Sequence, residues 1–268
     1  MILKAYAKVN LILKVNNKLD SGYHNLQMIN AFIDLYDEID IEESNVDIVE
    51  YTNVDISDSD DIVKKGLTLF KKLYNIEKCY KIRITKNIPI ASGMAGGSSD
   101  IASVIKYLCK LYDIKIDKEL INAIKEIGTD IIYMLYDGVR YIEGIGDIVD
   151  NETIDIEEEF VIVNPNIKVK TPDVFKNNKK HSLYINKEEL IKKVKNKEYE
   201  NDLEESSFNL DNRLYKLKEI LSNIGKTVMS GSGSTMMVFE TDVEHIYNEC
   251  KKINNDYFVR KVKIIRNQ

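Results

Sequence analysis

Pro89-Ile90-Ala91-Ser92-Gly93-Met94-Ala95-Gly96-Gly97-Ser98-Ser99-Asp100 lies between a strand-like stretch at residues 80–85 and an apolar run of helical spacing at residues 101–111. Glycine tolerates positive φ and leaves no Cβ between a ligand and the backbone. The first turn of a helix adds unpaired N–H groups and the positive end of its dipole, a combination that suits an anion. The segment is therefore expected to be a phosphate-binding loop that ends where a helix begins. The competing reading is a glycine-rich turn in which Ser98, Ser99 or Asp100 merely caps that helix.

A chain of 268 residues is long enough for one large or two modest domains, and 44% hydrophobic with 31% charged residues is ordinary for a globular protein. The net charge of −6 speaks against general nucleic-acid binding. Cys79, Cys109 and Cys250 are far apart and form no C-x-x-C, so thiols packed as small hydrophobes are expected. His24, His181 and His245 form no i, i+4 pair, and no zinc site is expected. No apolar run approaches the length of a membrane span. The amino terminus alternates like a strand from its first residues and lacks a signal-peptide pattern, which makes the cytoplasm the expected compartment.

Alternation predicts a long strand at 2–15 and two more at 26–36 and 38–43, the latter pair split by a turn at Tyr36-Asp37. A further strand is expected at 46–51. The acidic run 58–61 supplies caps for a helix reaching about Tyr74, and Asp117 starts another. Residues 150–159 read as an acidic linker, the candidate domain boundary. Strands and helices then alternate to a terminal strand at 257–265, and the mixture indicates an α+β fold.

Four further segments could carry chemistry. Lys8 and Asn10, two apart on the first strand, share a face, and the alternation puts Lys4 there too. Gly22-Tyr23-His24 sits in a turn, where an aromatic beside an imidazole could hold a flat heterocycle or simply pack. Asp130, after Gly128-Thr129, could be a general base or a helix cap. Met229-Ser230-Gly231-Ser232-Gly233-Ser234 could approach a ligand closely or make a hairpin.

Taken in order, A-K-V-N-L at 7–11, D-S-G-Y-H at 20–24, the glycine loop, G-T-D at 128–130, T-P-D-V-F at 171–175, N-D-L-E at 201–204 and M-S-G-S-G-S at 229–234 resemble the GHMP kinase superfamily. They are most similar to its branch that phosphorylates the 2-hydroxyl of 4-diphosphocytidyl-2-C-methyl-D-erythritol in the non-mevalonate isoprenoid pathway. The resemblance implies two domains: residues 1–152, like domain 2 of ribosomal protein S5, and residues 153–268, ferredoxin-like, with the active site in the cleft between them. It implies ATP, with Mg2+ delivered on it, and direct in-line phosphoryl transfer. Asp130 would accept the hydroxyl proton and Lys8 would sit beside it. Asn10 and Thr171 would touch the substrate, and His24 would hydrogen-bond the cytosine between the rings of Tyr23 and Phe175. Pro89, Ile90, Ala91, Ser92, Gly93, Met94, Ala95, Gly96, Gly97, Ser98 and Ser99 would wrap the triphosphate, with Asp61 near the adenine and ribose.

The implied partner is a small cytidyl diphosphate alcohol, with no nucleic acid and no membrane, and the implied state a monomer or weak homodimer. Another GHMP kinase, of the mevalonate or homoserine type, and a non-catalytic nucleotide-binding relative are the alternatives. Tyr23, His24 and Phe175 disfavour the former, whose substrates have no base to stack. The chain departs from the superfamily pattern at Met94 and Ala95 (usually Leu and Gly), at Ile132 (often Pro) and at Asp61 (often Asn). Ala95 restricts the backbone if that position requires positive φ.

Overall fold

Strands β1 (Ile2–Lys18) and β2 (His24–Ser44) form one long antiparallel pair in the computed structural model, which describes residues 1–57 and 61–266. Along its other edge β2 meets three strands in turn: β5 (Arg140–Gly144), the terminal strand β11 (Phe258–Ile265) and β4 (Cys79–Thr85). β3 (Ile48–Tyr51) runs parallel to β4, and β6 (Ile148–Val149) closes the edge beside β5. The turn expected at Tyr36-Asp37 does not exist, because β2 continues through it. Asp37 is fully buried there and accepts the N–H groups of Asn87 and Ile88, so a polar residue that reads as a turn signal is an internal acceptor.

Helices α1 (Ile62–Tyr74), α2 (Gly96–Leu111), α3 (Lys118–Lys125) and α4 (Asp130–Met134) share one core cluster with β2 and β4. Of the acidic run expected to cap α1, Asp61 does so, accepting the N–H groups of Val63 and Lys64; residues 58–60 lie outside the described residues. In the second half, β7 (Glu159–Asn164), β9 (Lys226–Met229), β10 (Met236–Phe239) and β11 form an antiparallel sheet in the order β11-β7-β10-β9. Helices α8 (Asn212–Ser222) and α9 (Val243–Ile253) pack on it. Between β7 and β9 come α5 (Thr171–Asn177), α6 (Lys187–Lys195), β8 (Glu200–Asn201) and α7 (Glu204–Leu210).

One core cluster spans the expected boundary. Ala7, Val9 and Leu11 of β1 pack with Phe160, Ile162 and Met237 of the second sheet and with Leu190 of α6. β11 pairs both β7 and β2, so the second sheet is hydrogen-bonded to the first.

β1 also corrects the expected alternation. Pairing with β2 slips between Tyr6 and Lys8, and a slip of this kind turns successive side chains to the other face. Ala5 accordingly joins one core cluster and Ala7 the other. Lys4 stays at the surface over the Tyr36 ring, while Lys8 and Asn10 turn into the protein.

Helix α1 crosses α2 where Gly66 meets Ile101. A Cβ on Gly66 would lie 2.2 Å from Cγ1 of Ile101, which is itself fully buried. Gly66→Ala raises intrinsic helix propensity by about 1 kcal/mol, yet overpacking a rigid site costs about 1–3 kcal/mol. The expected outcome is a net loss of about 1 kcal/mol in urea denaturation. A more stable variant would show that the two helices do not meet there.

Candidate active site

Helix α2 begins inside the glycine motif, at Gly96, five residues before the apolar run that suggested it. Ala95 occupies the N-cap with φ 54° and ψ 34°, and no side chain caps the helix. Two of the three capping candidates of the competing reading are engaged elsewhere: Ser99 gives its hydroxyl proton to the Tyr6 carbonyl at 2.6 Å, and Asp100 pairs with the Lys86 ammonium. The first intrahelical bond involving Ala95 is from the Ser99 N–H to its carbonyl, at 2.9 Å. The first-turn amides at Gly96, Gly97 and Ser98 are thus left for an anion at the positive end of a 16-residue helix.

The second glycine turn lies against the first. Ser230 donates its hydroxyl to the Gly93 carbonyl at 3.0 Å, and the Thr235 N–H reaches the Ser92 carbonyl at 3.1 Å. A Cβ on Gly93 would stand 2.3 Å from the Ser230 carbonyl oxygen, so only glycine permits this approach. Ser232 anchors the turn outward, pairing with the Thr171 hydroxyl at 2.8 Å and accepting from Ser207. Residues of N-D-L-E hold the same unit. Asn201 donates to the carbonyls of Met229 and Gly231, while Asp202 accepts the Val15 N–H and pairs with Lys180 and Lys14.

Lys8 and Asp130, distant in sequence, come together. The Lys8 ammonium is buried and lies 3.6 Å from Oδ1 of Asp130, whose carboxylate is half exposed at the start of α4. The pair is enclosed on the lysine side and open on the carboxylate side. The Ile132 N–H reaches the Thr129 carbonyl at 3.1 Å, a bond that a proline at that position could not make. Asn10 is fully enclosed. Its Oδ1 accepts from Lys8 at 2.9 Å and its Nδ2 donates to Oδ1 of Asn30 at 2.6 Å, so the structure sets it behind Lys8 rather than on the cleft surface.

His24 opens β2 and is buried against Phe175 of α5, with ring centroids 5.5 Å apart at 26°. His181 stacks on it as well, at 6.1 Å and 17°. Burial, and then the proximity of His181 and Lys18, lowers the His24 pKa from its ordinary value. A neutral imidazole offers one donor and one acceptor, which suits the edge of a heterocycle. Tyr23 is exposed beside this group.

At the foot of the glycine loop a cleft of about 520 Å3 opens between Val54, Ile88 and Ile90 on one side and Asn166, Tyr257 and Phe258 on the other. Asp61 caps α1, and its Oδ1 also accepts the Tyr51 hydroxyl at 2.9 Å.

Residues 61–138 match the family model described as GHMP kinases N terminal domain. A 4-diphosphocytidyl-2-C-methyl-D-erythritol kinase of Clostridium beijerinckii is 32% identical over 278 residues, covering 97% of this chain and 99% of the relative. One of Clostridium perfringens is 35% identical over 263 residues, covering 91% of this chain and 90% of the relative. Among solved structures, a 4-(cytidine 5'-diphospho)-2C-methyl-D-erythritol kinase superposes with a TM-score of 0.83 at 23% identity, over 98% of this chain and 99% of that one. A mevalonate kinase gives 0.67 at 19% identity, over 100% of both chains. The two structures establish the fold.

Sequence reasoning missed His181 and a buried charge cluster under the glycine loop. Lys86 pairs there with both Asp37 and Asp100, and its ammonium lies 3.3 Å from where a Cβ of Gly96 would be. Neither Asp37 nor Lys86 stands in a recognisable motif; only folding brings them to Asp100. Burial, partly offset by Lys86 and reinforced by Asp37, pushes the Asp100 carboxyl up to about 8. The folded state therefore holds a proton that the unfolded chain releases near pH 4, so stability is lost as pH rises through that interval. Asp100→Asn, which mimics the protonated acid, should flatten this loss, on the order of 4 kcal/mol between pH 5 and 9. Thermal unfolding across that range checks it, and identical slopes for the two proteins would show that Asp100 does not titrate in this window.

Proposed function

The chain belongs to the 4-diphosphocytidyl-2-C-methyl-D-erythritol kinase family, and from that premise we propose that Asp130 and Lys8 perform the transfer of the γ-phosphoryl group from ATP to the 2-hydroxyl of this cytidyl diphosphate alcohol. The observation that carries this reading is the Lys8–Asp130 pair, read together with an uncapped helix start whose loop β1 itself braces. The Lys8 N–H donates to the Met94 carbonyl at 3.1 Å, tying the strand that bears the lysine to the loop that would hold the phosphates.

In the proposed reaction the substrate hydroxyl oxygen bonds to the γ-phosphorus as the bond to the β,γ-bridging oxygen breaks. The hydroxyl proton passes to Asp130, and ADP leaves. Such transfer depends on positioning and charge neutralisation more than on a strong base. The amides of residues 96–98 and the Lys8 ammonium supply fixed positive character, and Mg2+ enters as part of the substrate Mg·ATP. The nucleoside of ATP would occupy the cleft between Ile90 and Tyr257. The cytosine would lie against His24 and Phe175, where stacking on an aromatic is worth about 1–3 kcal/mol per base. The reading carries with it a cytoplasmic enzyme, monomeric or weakly dimeric, with domains at 1–152 and 153–268 and no nucleic-acid partner. No helix among the described residues is long and apolar enough to cross a membrane.

The direct test is ADP formation by the purified protein with Mg·ATP and the cytidyl alcohol; turnover on mevalonate or homoserine instead would reject the proposed acceptor. Asp130→Asn is expected to lower kcat by about 10²–10⁴, and a near-normal rate would leave Asp130 as the first residue of α4 and nothing more. His24→Ala should raise KM for the cytidyl substrate about 10-fold, in line with one lost base contact. Its KM for ATP should not move; equal effects on both substrates would remove His24 from the cytosine site.

A further inference from the structure

Every polar atom of the Asn10 side chain is engaged inside the protein. Oδ1 accepts from Lys8, and Nδ2 donates to Oδ1 of Asn30 at 2.6 Å and points at Sδ of Met28 at 3.4 Å. Gly231 covers the carboxamide, since a Cβ there would stand 3.3 Å from Oδ1 of Asn10. Asn10 and Asn30 are direct cross-strand partners on β1 and β2, and both are buried. An ammonium can only donate, so Lys8 requires the oxygen of Asn10, which leaves Nδ2 facing β2 in need of an acceptor. Asn30 supplies it. The chain of bonds has one direction, and it ends on the ammonium beside Asp130.

We propose that Asn30 is a positioning residue for phosphoryl transfer, fixing through Asn10 the orientation of the Lys8 ammonium. One N–H of Lys8 is committed to Asn10 and a second faces Asp130, leaving the third directed away from both, toward a transferring group. Without the Asn30 acceptor, Nδ2 of Asn10 keeps only the weakly accepting sulfur of Met28, and the side chain loses the bond that fixes its orientation, a loss of about 1–3 kcal/mol for a buried donor. A carboxamide no longer held at Nδ2 lets Oδ1 swing out of its place beside Lys8, and the ammonium shifts toward Asp130. The binding surfaces for ATP and the cytidyl alcohol are untouched, so the loss falls on the chemical step.

The inference rests on the assignment of Lys8 and Asp130 above, and steady-state kinetics on the full-length protein separates the two. Asn30→Leu should lower kcat about 10- to 100-fold, the scale on which small misplacements act, with both KM values within about 2-fold. Asn30→Asp keeps an acceptor in place and should recover most of the rate. If the leucine variant does not fold, Asn30→Ser, too short to reach Asn10, should show the same loss. A leucine or serine variant with normal kcat, a loss confined to KM, or an aspartate variant no better than leucine would overturn the inference. Lys8→Met is run in parallel. Full activity there would remove the catalytic assignment itself, whereas an inactive Lys8→Met beside a normal Asn30→Leu would reject the role of Asn30 alone.

Discussion

Two glycine backbones in contact set the geometry of everything around them. Gly93, in the loop before α2, lies so close to the turn at 230–233 that a methyl group would overlap its carbonyls. Ser230 bridges the contact, donating to the Gly93 carbonyl while accepting the Asn10 N–H at 3.3 Å. The strand that carries Lys8, the loop that would hold phosphates and the turn from the second half are therefore one hydrogen-bonded unit. Motifs more than a hundred residues apart are parts of a single object, which is why each looks weak when read alone.

Buried charge braces this unit from two sides. Under the loop, one lysine faces two carboxyl groups; beside β1, Asp202 faces Lys180 and Lys14, and Lys14 also reaches Glu200 at 2.6 Å. Desolvation makes such clusters poor sources of stability, and a well-packed apolar replacement can be neutral or better. Their value here is placement. Lys86 joins β2, the end of β4 and the first turns of α2, while Asp202 fixes the Val15 N–H of β1 and the Ser182 hydroxyl. A misplaced element would leave a charge without its partner, a penalty that apolar packing does not impose.

What could be read in the sequence followed local rules. The glycine loop, the segments that converge on it, the α+β class and the terminal strand were all legible, because glycine spacing and alternation act over a few residues. The misreadings share one cause, that tertiary partners replaced water. Asp37 signalled a turn because isolated aspartate is costly in a strand; two amides and a lysine satisfy it instead. Lys4 was grouped with Lys8 because strict alternation cannot foresee a slip in pairing. Asn30 was invisible, since a cross-strand amide pair depends on register. His181 follows a segment with no periodicity and meets His24 only through the fold.

Ala95 illustrates how a local rule can be right about geometry and wrong about consequence. Its φ of 54° is the left-handed value that made alanine suspect at this position. Holding an L-residue there costs roughly 1–2 kcal/mol. Glycine would avoid that strain but loses more backbone entropy on folding, by roughly 0.5–1 kcal/mol relative to alanine. The difference between the two is therefore small, and neighbouring bonds fix the turn: the Met94 carbonyl is held by the Lys8 N–H and the Ala95 carbonyl by the Ser99 N–H. A left-handed residue followed by right-handed ones directs successive amides into one concavity, the arrangement that receives anions elsewhere. The alanine keeps that concavity with a less flexible unfolded chain, so the departure from glycine leaves the turn before α2 intact.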